Sequence, residues 1–363
     1  MDPQDLAHGG EVYALARRLG IAPENLLDFS SNANIFAQPI TESLLREARP
    51  PFEHYPDSAC TELVRAISEH EGVEPERILP GNGAADLIWL AVQALAPRKA
   101  LCIGPIFSEF VKAFKAFNIP FDIIATSPDK EFKPGTEERE RIWESDADLV
   151  VLCTPNNPAA VTYDDPRGIL AMLRAPRLII DNSYREFLYG TSAYEANHYK
   201  AYLPYVRPGV SLFTLHSFTK FFCCPGIRLG YIMGDRLQLA RMAKRRSAWN
   251  IGSQAQHMGK VFLDNLEDYR ATLPELRGAL ADLARQLRRL DTMRSNHIFE
   301  GPGFLCCGLA GNRDAGQVTD KALRTRLLVR NCDTIPGMPP GFIRVRTRSN
   351  EDNALLVGFL ATI

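Results

Sequence analysis

The sequence predicts an α/β protein: a large unit on a mostly parallel seven-stranded sheet flanked by helices, followed by a smaller α+β unit. Three observations carry that expectation. Between about residues 60 and 260 short apolar runs alternate with amphipathic stretches, the pattern of strand–helix–strand crossovers. After residue 260 the pattern changes to a long charged helical stretch and a few further strands. The length of 363 residues also exceeds what one compact core usually serves.

The candidate strands of the large unit, in order, are Arg77–Leu79, Ala100–Ile103, Phe121–Ala125, Leu149–Cys153, Arg177–Asp181, Ser211–Leu215 and Leu229–Met233. Helical patterns fall between them at Thr61–Glu71, Ala84–Ala96, Glu109–Phe117 and Pro166–Leu173. One long helix is expected over Leu263–Leu290, then strands within Ile298–Leu309, a helix over Thr319–Leu328, a strand over Phe342–Thr347 and a closing helix over Glu351–Leu360. The division expected is an N-terminal, substrate-side segment (1–37), a large unit (38–260) and a small unit (261–363).

Hydrophobic residues make up 45% and charged residues 23% of the chain, the balance of a soluble globular protein. A formal net charge of -1 gives no electrostatic reason to expect nucleic acid or an anionic membrane as partner. No run approaches the roughly 18 apolar residues that span a bilayer, and the polar start MDPQDLAHGG does not resemble a signal peptide. The eight cysteines show neither C-x-x-C pairs nor histidine spacing suited to zinc, so a metal site is not expected and a reducing cytoplasm is.

Ligands of open α/β sheets gather at the carboxyl ends of the strands, and that is where the polar motifs fall. GNGAAD (Gly81–Asp86) follows a strand and opens a helix after Gly83, so free backbone N–H groups and the helix dipole could receive a phosphate. CTPNNP (Cys153–Pro158) holds Asn156 and Asn157 between prolines that stiffen the turn. Asp181 ends its apolar run, where a carboxylate could keep a pyridine nitrogen protonated. In SFTKFFCCPGIRLGY (Ser217–Tyr231), Ser217 and Thr219 precede Lys220 and Arg228 follows it by eight positions. Hydroxyls and a guanidinium grip a phosphate while an amine in an apolar frame reaches a carbonyl. These residues together suggest pyridoxal 5'-phosphate as cofactor.

In that order the motifs resemble the fold type I pyridoxal-phosphate enzymes of the aspartate aminotransferase superfamily, over nearly the whole chain. The resemblance implies that Lys220 bonds the cofactor aldehyde, that Asp181 pairs with the pyridine nitrogen and that Asn157 and Tyr184 approach the phenolic oxygen. It implies that Phe107 stacks on the ring, and that Ala84, Ala85, Ser217, Thr219 and Arg228 bind the phosphate. Tyr55 of HYPD would reach that phosphate from the neighbouring subunit of a homodimer.

Within the superfamily, HGG at His8–Gly10, LGIAPENLLDFSSNAN, and LLVRNCDTIPG followed by FIRVRTRS are similar to the threonine-phosphate decarboxylases of cobalamin biosynthesis, with the histidinol-phosphate aminotransferases next. The likeness implies decarboxylation of a phosphorylated amino acid, with His8, Gly9, Asn32 and Asn157 bordering it and Arg330 and Arg344 serving its phosphate and carboxylate. Which arginine meets which anion is open, and the same residues would serve an aminotransferase. Arg344, Arg346 and Arg348 alternate along a strand; Arg344 is assigned to the site and Arg346 to a solvated face. A non-catalytic regulatory protein on this fold is the remote alternative; a pseudoenzyme would be expected to lose Lys220 or Asp181, and both are present.

Overall fold

The computed structural model describes residues 9–50, 52–163, 167–170 and 174–363. Its main sheet contains β1 (Ile78–Gly81), β2 (Ala100–Ile103), β3 (Phe121–Ile124), β4 (Leu149–Cys153), β5 (Arg177–Asp181), β6 (Ser211–Ser217) and β7 (Gly230–Gly234). The seven strands lie in the order β1-β7-β6-β5-β4-β2-β3, with β7 running against both its neighbours and every other pair parallel. This is the α/β architecture the alternating pattern predicts.

Both faces of the sheet are covered because successive side chains of a strand point to opposite sides. Val150 and Leu152 of β4 enter one core with Leu63 and Ile67 of α1 (Thr61–Glu71). Leu149, Val151 and Cys153 enter the other with Leu87, Ile88 and Ala91 of α2 (Ala84–Leu95) and Phe110 and Phe114 of α3 (Ser108–Ala116). Register pairs Cys153 with Asp181 and Asp181 with Leu215, so the ends of β4, β5 and β6 share one edge.

The smaller sheet has β8 (Met293–Glu300), β9 (Phe304–Leu309), β10 (Arg330–Asn331) and β11 (Phe342–Arg346) in the antiparallel order β10-β11-β9-β8. Leu305, Cys307, Ile343 and Val345 pack with Leu283 and Leu287 of α4 (Leu273–Leu287) and Leu356 and Leu360 of α5 (Asn350–Ala361). The alternate residues Phe304, Cys306 and Phe342 instead join the core of the large unit. A separate two-stranded parallel pairing joins Leu27–Asp28 of the N-terminal segment to Leu327–Leu328, the residues just before β10.

That double coverage corrects the expectation for Arg346. Its residue is 8% exposed, its Nε donates to the Asp28 carbonyl at 2.8 Å and its charge faces the Asp28 carboxylate. Alternation along β11 separates two covered faces, so it does not send the arginines to solvent. The expected helix over Leu263–Leu290 is three pieces, Ser253–Asp264, Leu266–Arg270 and α4. The chain leaves helical geometry at Asn265 (φ -110°, ψ 23°), and Pro274 sits in the first turn of α4, where its missing N–H costs nothing. The helix expected over Thr319–Leu328 runs instead over Ala315–Arg324, started by the Asp314 side chain, which accepts the Gln317 N–H at 2.7 Å. Of the helix expected over 166–173, Arg167–Leu170 lies within the described residues and is helical.

Candidate active site

The strand ends, the start of α2 and the inner face of β11 enclose one cavity that gathers most of the predicted residues. Gly9, Asn32, Ala84, Ala85, Phe107, Asn157, Asp181, Tyr184, Ser217, Thr219, Lys220, Arg228, Arg330 and Arg344 all line it. His8 lies outside the described residues.

One end offers donors of the kind an anion takes. Gly83 takes φ +85° to turn β1 into α2, and a Cβ there would come within 2.7 Å of the Arg228 guanidinium. A glycine is therefore needed twice over, for the backbone and for the close approach. Gly83 itself does not line the cavity; it delivers the first-turn N–H groups of Ala84 and Ala85, where the helix dipole favours an anion. Opposite them the Ser217 hydroxyl accepts the Thr219 N–H at 3.2 Å, and Arg228, held in left-handed backbone (φ 57°), is anchored through Nη1 to the Pro225 carbonyl at 3.1 Å.

At the centre stands Lys220. Burial, reinforced by Arg344 and Arg228, pulls its amine from 10.5 down to about 8, within reach of the neutral form that attacks a carbonyl. Asp181 is buried at the end of β5; burial raises its carboxyl while the Ser183 N–H, donating at 2.9 Å, opposes the rise. The Tyr184 hydroxyl accepts from Asn32 Nδ2 at 3.0 Å, and burial pushes it up to about 12. Phe107 stands just before α3, at the cavity wall.

The remaining wall is cationic. Arg344 donates from Nη1 to Asn157 Oδ1 and from Nη2 to the Ser30 carbonyl at 2.6 Å. Gly9 presses on that same carbonyl so closely that a Cβ would lie 2.3 Å from its oxygen. Arg330 is 6% exposed and donates to the Thr334 hydroxyl at 3.1 Å; burial and the adjacent Arg344 lower its guanidinium to about 10. The register places Arg330 directly opposite Arg344 across β10 and β11. Lys220, Arg228, Arg330 and Arg344 thus face a cavity in which Asp181 is the one carboxylate side chain among the described residues.

Tyr55 stands apart from this cavity. It is 77% exposed and stacked on Trp249, ring centroids 4.4 Å apart. Five further residues line the cavity without having been singled out: Ser31, Ser108, Cys153, Ser183 and Ile335. Four of them adjoin chosen positions or end a predicted strand, so the strand-end rule could have found them; Ile335 carries no such signal.

Donors, acceptors and one buried acid thus meet the needs of pyridoxal phosphate. Asn32 Oδ1 and Arg344 Nε, both buried, have no hydrogen-bond partner among the described residues, as expected where a polar ligand completes a site. Asp181 is a desolvated carboxylate that a pyridinium N–H would relieve.

The family model for aminotransferase class I and II matches residues 24–360. A threonine-phosphate decarboxylase of Salmonella typhimurium is 29% identical over 98% of this chain and 96% of that protein. A histidinol-phosphate aminotransferase of Desulfitobacterium hafniense is 26% identical over 93% of this chain and 91% of that one. Among solved structures, the L-threonine-O-3-phosphate decarboxylase of Porphyromonas gingivalis superposes with a TM-score of 0.73 at 20% identity, covering 93% of this chain and 99% of that one, a likeness of fold. With its fold, its lysine and its strand-end motifs in place, the chain belongs to the aminotransferase class I and II family of pyridoxal-phosphate-dependent enzymes.

Proposed function

We propose that the chain decarboxylates a phosphorylated amino acid, L-threonine O-3-phosphate, to (R)-1-aminopropan-2-yl phosphate. The observation that carries the reading is the charge of the cavity: beyond Arg228 at the phosphate end, two buried arginines face the remaining space. A substrate with both a carboxylate and a phosphate supplies the anions that guanidinium forks suit. The decarboxylase similarity over nearly the full length supports it.

The chain's own residues would act as follows. The Ala84 and Ala85 N–H groups, Ser217, Thr219 and Arg228 would hold the cofactor phosphate, Asp181 its pyridine nitrogen, and Asn157 and Tyr184 its phenolic oxygen, with Phe107 against the ring. When bound, pyridoxal phosphate supplies an electron sink for a bond broken at Cα. Arg344, locked by Asn157 and Ser30, would fix the substrate carboxylate, and Arg330 the phosphate, so that the Cα–carboxylate bond is the one set to break. Its electrons stay with the amine product, carbon dioxide leaves, and the Lys220 ammonium returns one proton to Cα. Gly9, Asn32 and His8 would border the substrate. Tyr55, exposed beside Trp249, would complete the phosphate site of a second copy in a homodimer. The eight free thiols support a reducing, cytoplasmic setting.

Purified protein loaded with cofactor tests the reading. Threonine phosphate should yield carbon dioxide and the amino-alcohol phosphate in equal amounts, and Lys220→Ala should abolish both products and the cofactor's absorbance band. Conversion of histidinol phosphate with no such products from threonine phosphate would replace decarboxylation by transamination.

A further inference from the structure

Outside the cavity, one buried carboxylate collects contacts from three segments that build it. Glu71, the last residue of α1, is 3% exposed and has no part in the cavity wall. The Tyr231 hydroxyl donates to its Oε1, Arg185 Nη1 to its Oε2 at 3.3 Å, and His198 Nε2 lies 3.0 Å from Oε2. His216 Nδ1 lies 3.9 Å from Oε1. Burial opposes the charge, but His198, Arg185 and the other neighbours hold the Glu71 carboxyl well below its usual range. The nearby His70 and Glu186 leave no seat for a cation, since Arg185 stands 3.3 Å from Glu71 and 3.4 Å from Glu186.

Each of the three strand-side partners adjoins the phosphate or ring end of the site. Arg185 follows Tyr184, and His216 precedes Ser217. Tyr231 follows Gly230, where a Cβ would lie 2.9 Å from the Ala84 nitrogen and 2.7 Å from the His216 carbonyl. His216 and Tyr231 are also register partners across β6 and β7, their rings 4.6 Å apart and within 2° of parallel. A buried ion fully bonded on all sides has one favourable arrangement, so it fixes the spacing of whatever its partners carry.

We propose that Glu71 is a positioning residue: through Arg185 and through Tyr231, on whose ring His216 is stacked, it holds the Tyr184, Ser217 and Ala84 segments at the mutual spacing that cofactor binding requires. The inference rests on the reading of the cavity as a pyridoxal-phosphate site. Its test titrates cofactor-free protein with pyridoxal phosphate, following the bound cofactor's absorbance, beside thermal melts of the cofactor-free protein. Glu71→Gln and Tyr231→Phe are compared with Leu283→Ala, which lowers stability in the core of the smaller sheet, remote from the network. Couplings of this kind modulate affinity by about threefold to thirtyfold, so both network variants should weaken the cofactor by that much while Leu283→Ala melts earlier and binds as wild type does. Should Glu71→Gln fail to fold, Tyr231→Phe, which keeps the Arg185 pair, decides alone. Wild-type affinity in the network variants, or an equal loss in Leu283→Ala, overturns the inference. Absence of saturable binding to the wild-type protein overturns the cavity reading itself.

Discussion

Replacing Lys220 with methionine should stabilise the cofactor-free protein at neutral pH. Burial, with Arg344 next in weight, lowers the amine from 10.5 to about 8. At roughly 1.4 kcal/mol per pH unit, the folded state therefore holds a protonated Lys220 at a cost of about 3 kcal/mol. Methionine fills much of the same space without the charge, and for a chain of this length that gain is about 4 °C in melting temperature. The sign with pH follows from proton counting. Between about pH 8 and 10.5 the folded state has released the proton that the unfolded chain still binds, so wild-type stability rises through that window relative to Lys220→Met. Below pH 8 both states of the wild type are protonated and the penalty is complete; above 10.5 it is gone. Calorimetry of both cofactor-free proteins from pH 7 to 10.5 measures the gap. A methionine variant that melts below wild type at pH 7, or a gap indifferent to pH, would refute the picture of Lys220 as a desolvated amine.

Other expectations follow from neighbouring geometry. Arg346→Ala removes the cation facing half-buried Asp28 and the bond to its carbonyl, and should cost about 1.5–3 kcal/mol in denaturant unfolding; an unchanged midpoint would restore Arg346 to the surface role. In Asp28, burial raises the carboxyl but Arg346 and Ser30 outweigh it and lower the net value below 3.8, so its contribution is present above that pH and lost as pH falls through the lowered value, a dependence that Arg346→Ala should flatten in acid melts. Arg330→Lys replaces a fork by a point charge and should raise KM for threonine phosphate about tenfold with cofactor affinity unchanged; unchanged KM removes Arg330 from substrate binding. Gly9→Ala forces a Cβ to 2.3 Å from the Ser30 carbonyl that anchors Arg344, so steady-state kinetics should show lost kcat/KM while the cofactor titration stays that of wild type.

Much of this was legible in the sequence for one physical reason. Parallel strands end at a common edge, so Asn157, Asp181 and Ser217 to Lys220, each placed just after an apolar run, had to converge once the runs were strands of one sheet. What escaped depends on facts no local pattern carries. Arg346 looks like every second residue of an exposed strand until the segment from Asp28 to Ala33 covers that face. Glu71 reads as one polar residue in a helix, because Arg185, His216 and Tyr231 are 114, 145 and 160 positions away along the chain and meet it through the fold alone. The helix breaks at Asn265 and before Pro274 were visible as residues, but the surrounding apolar periodicity continues across them.

The most direct test of the account is the fate of one carbon. L-Threonine O-3-phosphate labelled in its carboxyl group, given to the cofactor-loaded protein, should lose its label as carbon dioxide, with one equivalent of amino-alcohol phosphate formed. Label retained in a non-volatile keto acid, with the cofactor converted to its pyridoxamine form, would contradict decarboxylation and leave the cationic cavity to a transaminase.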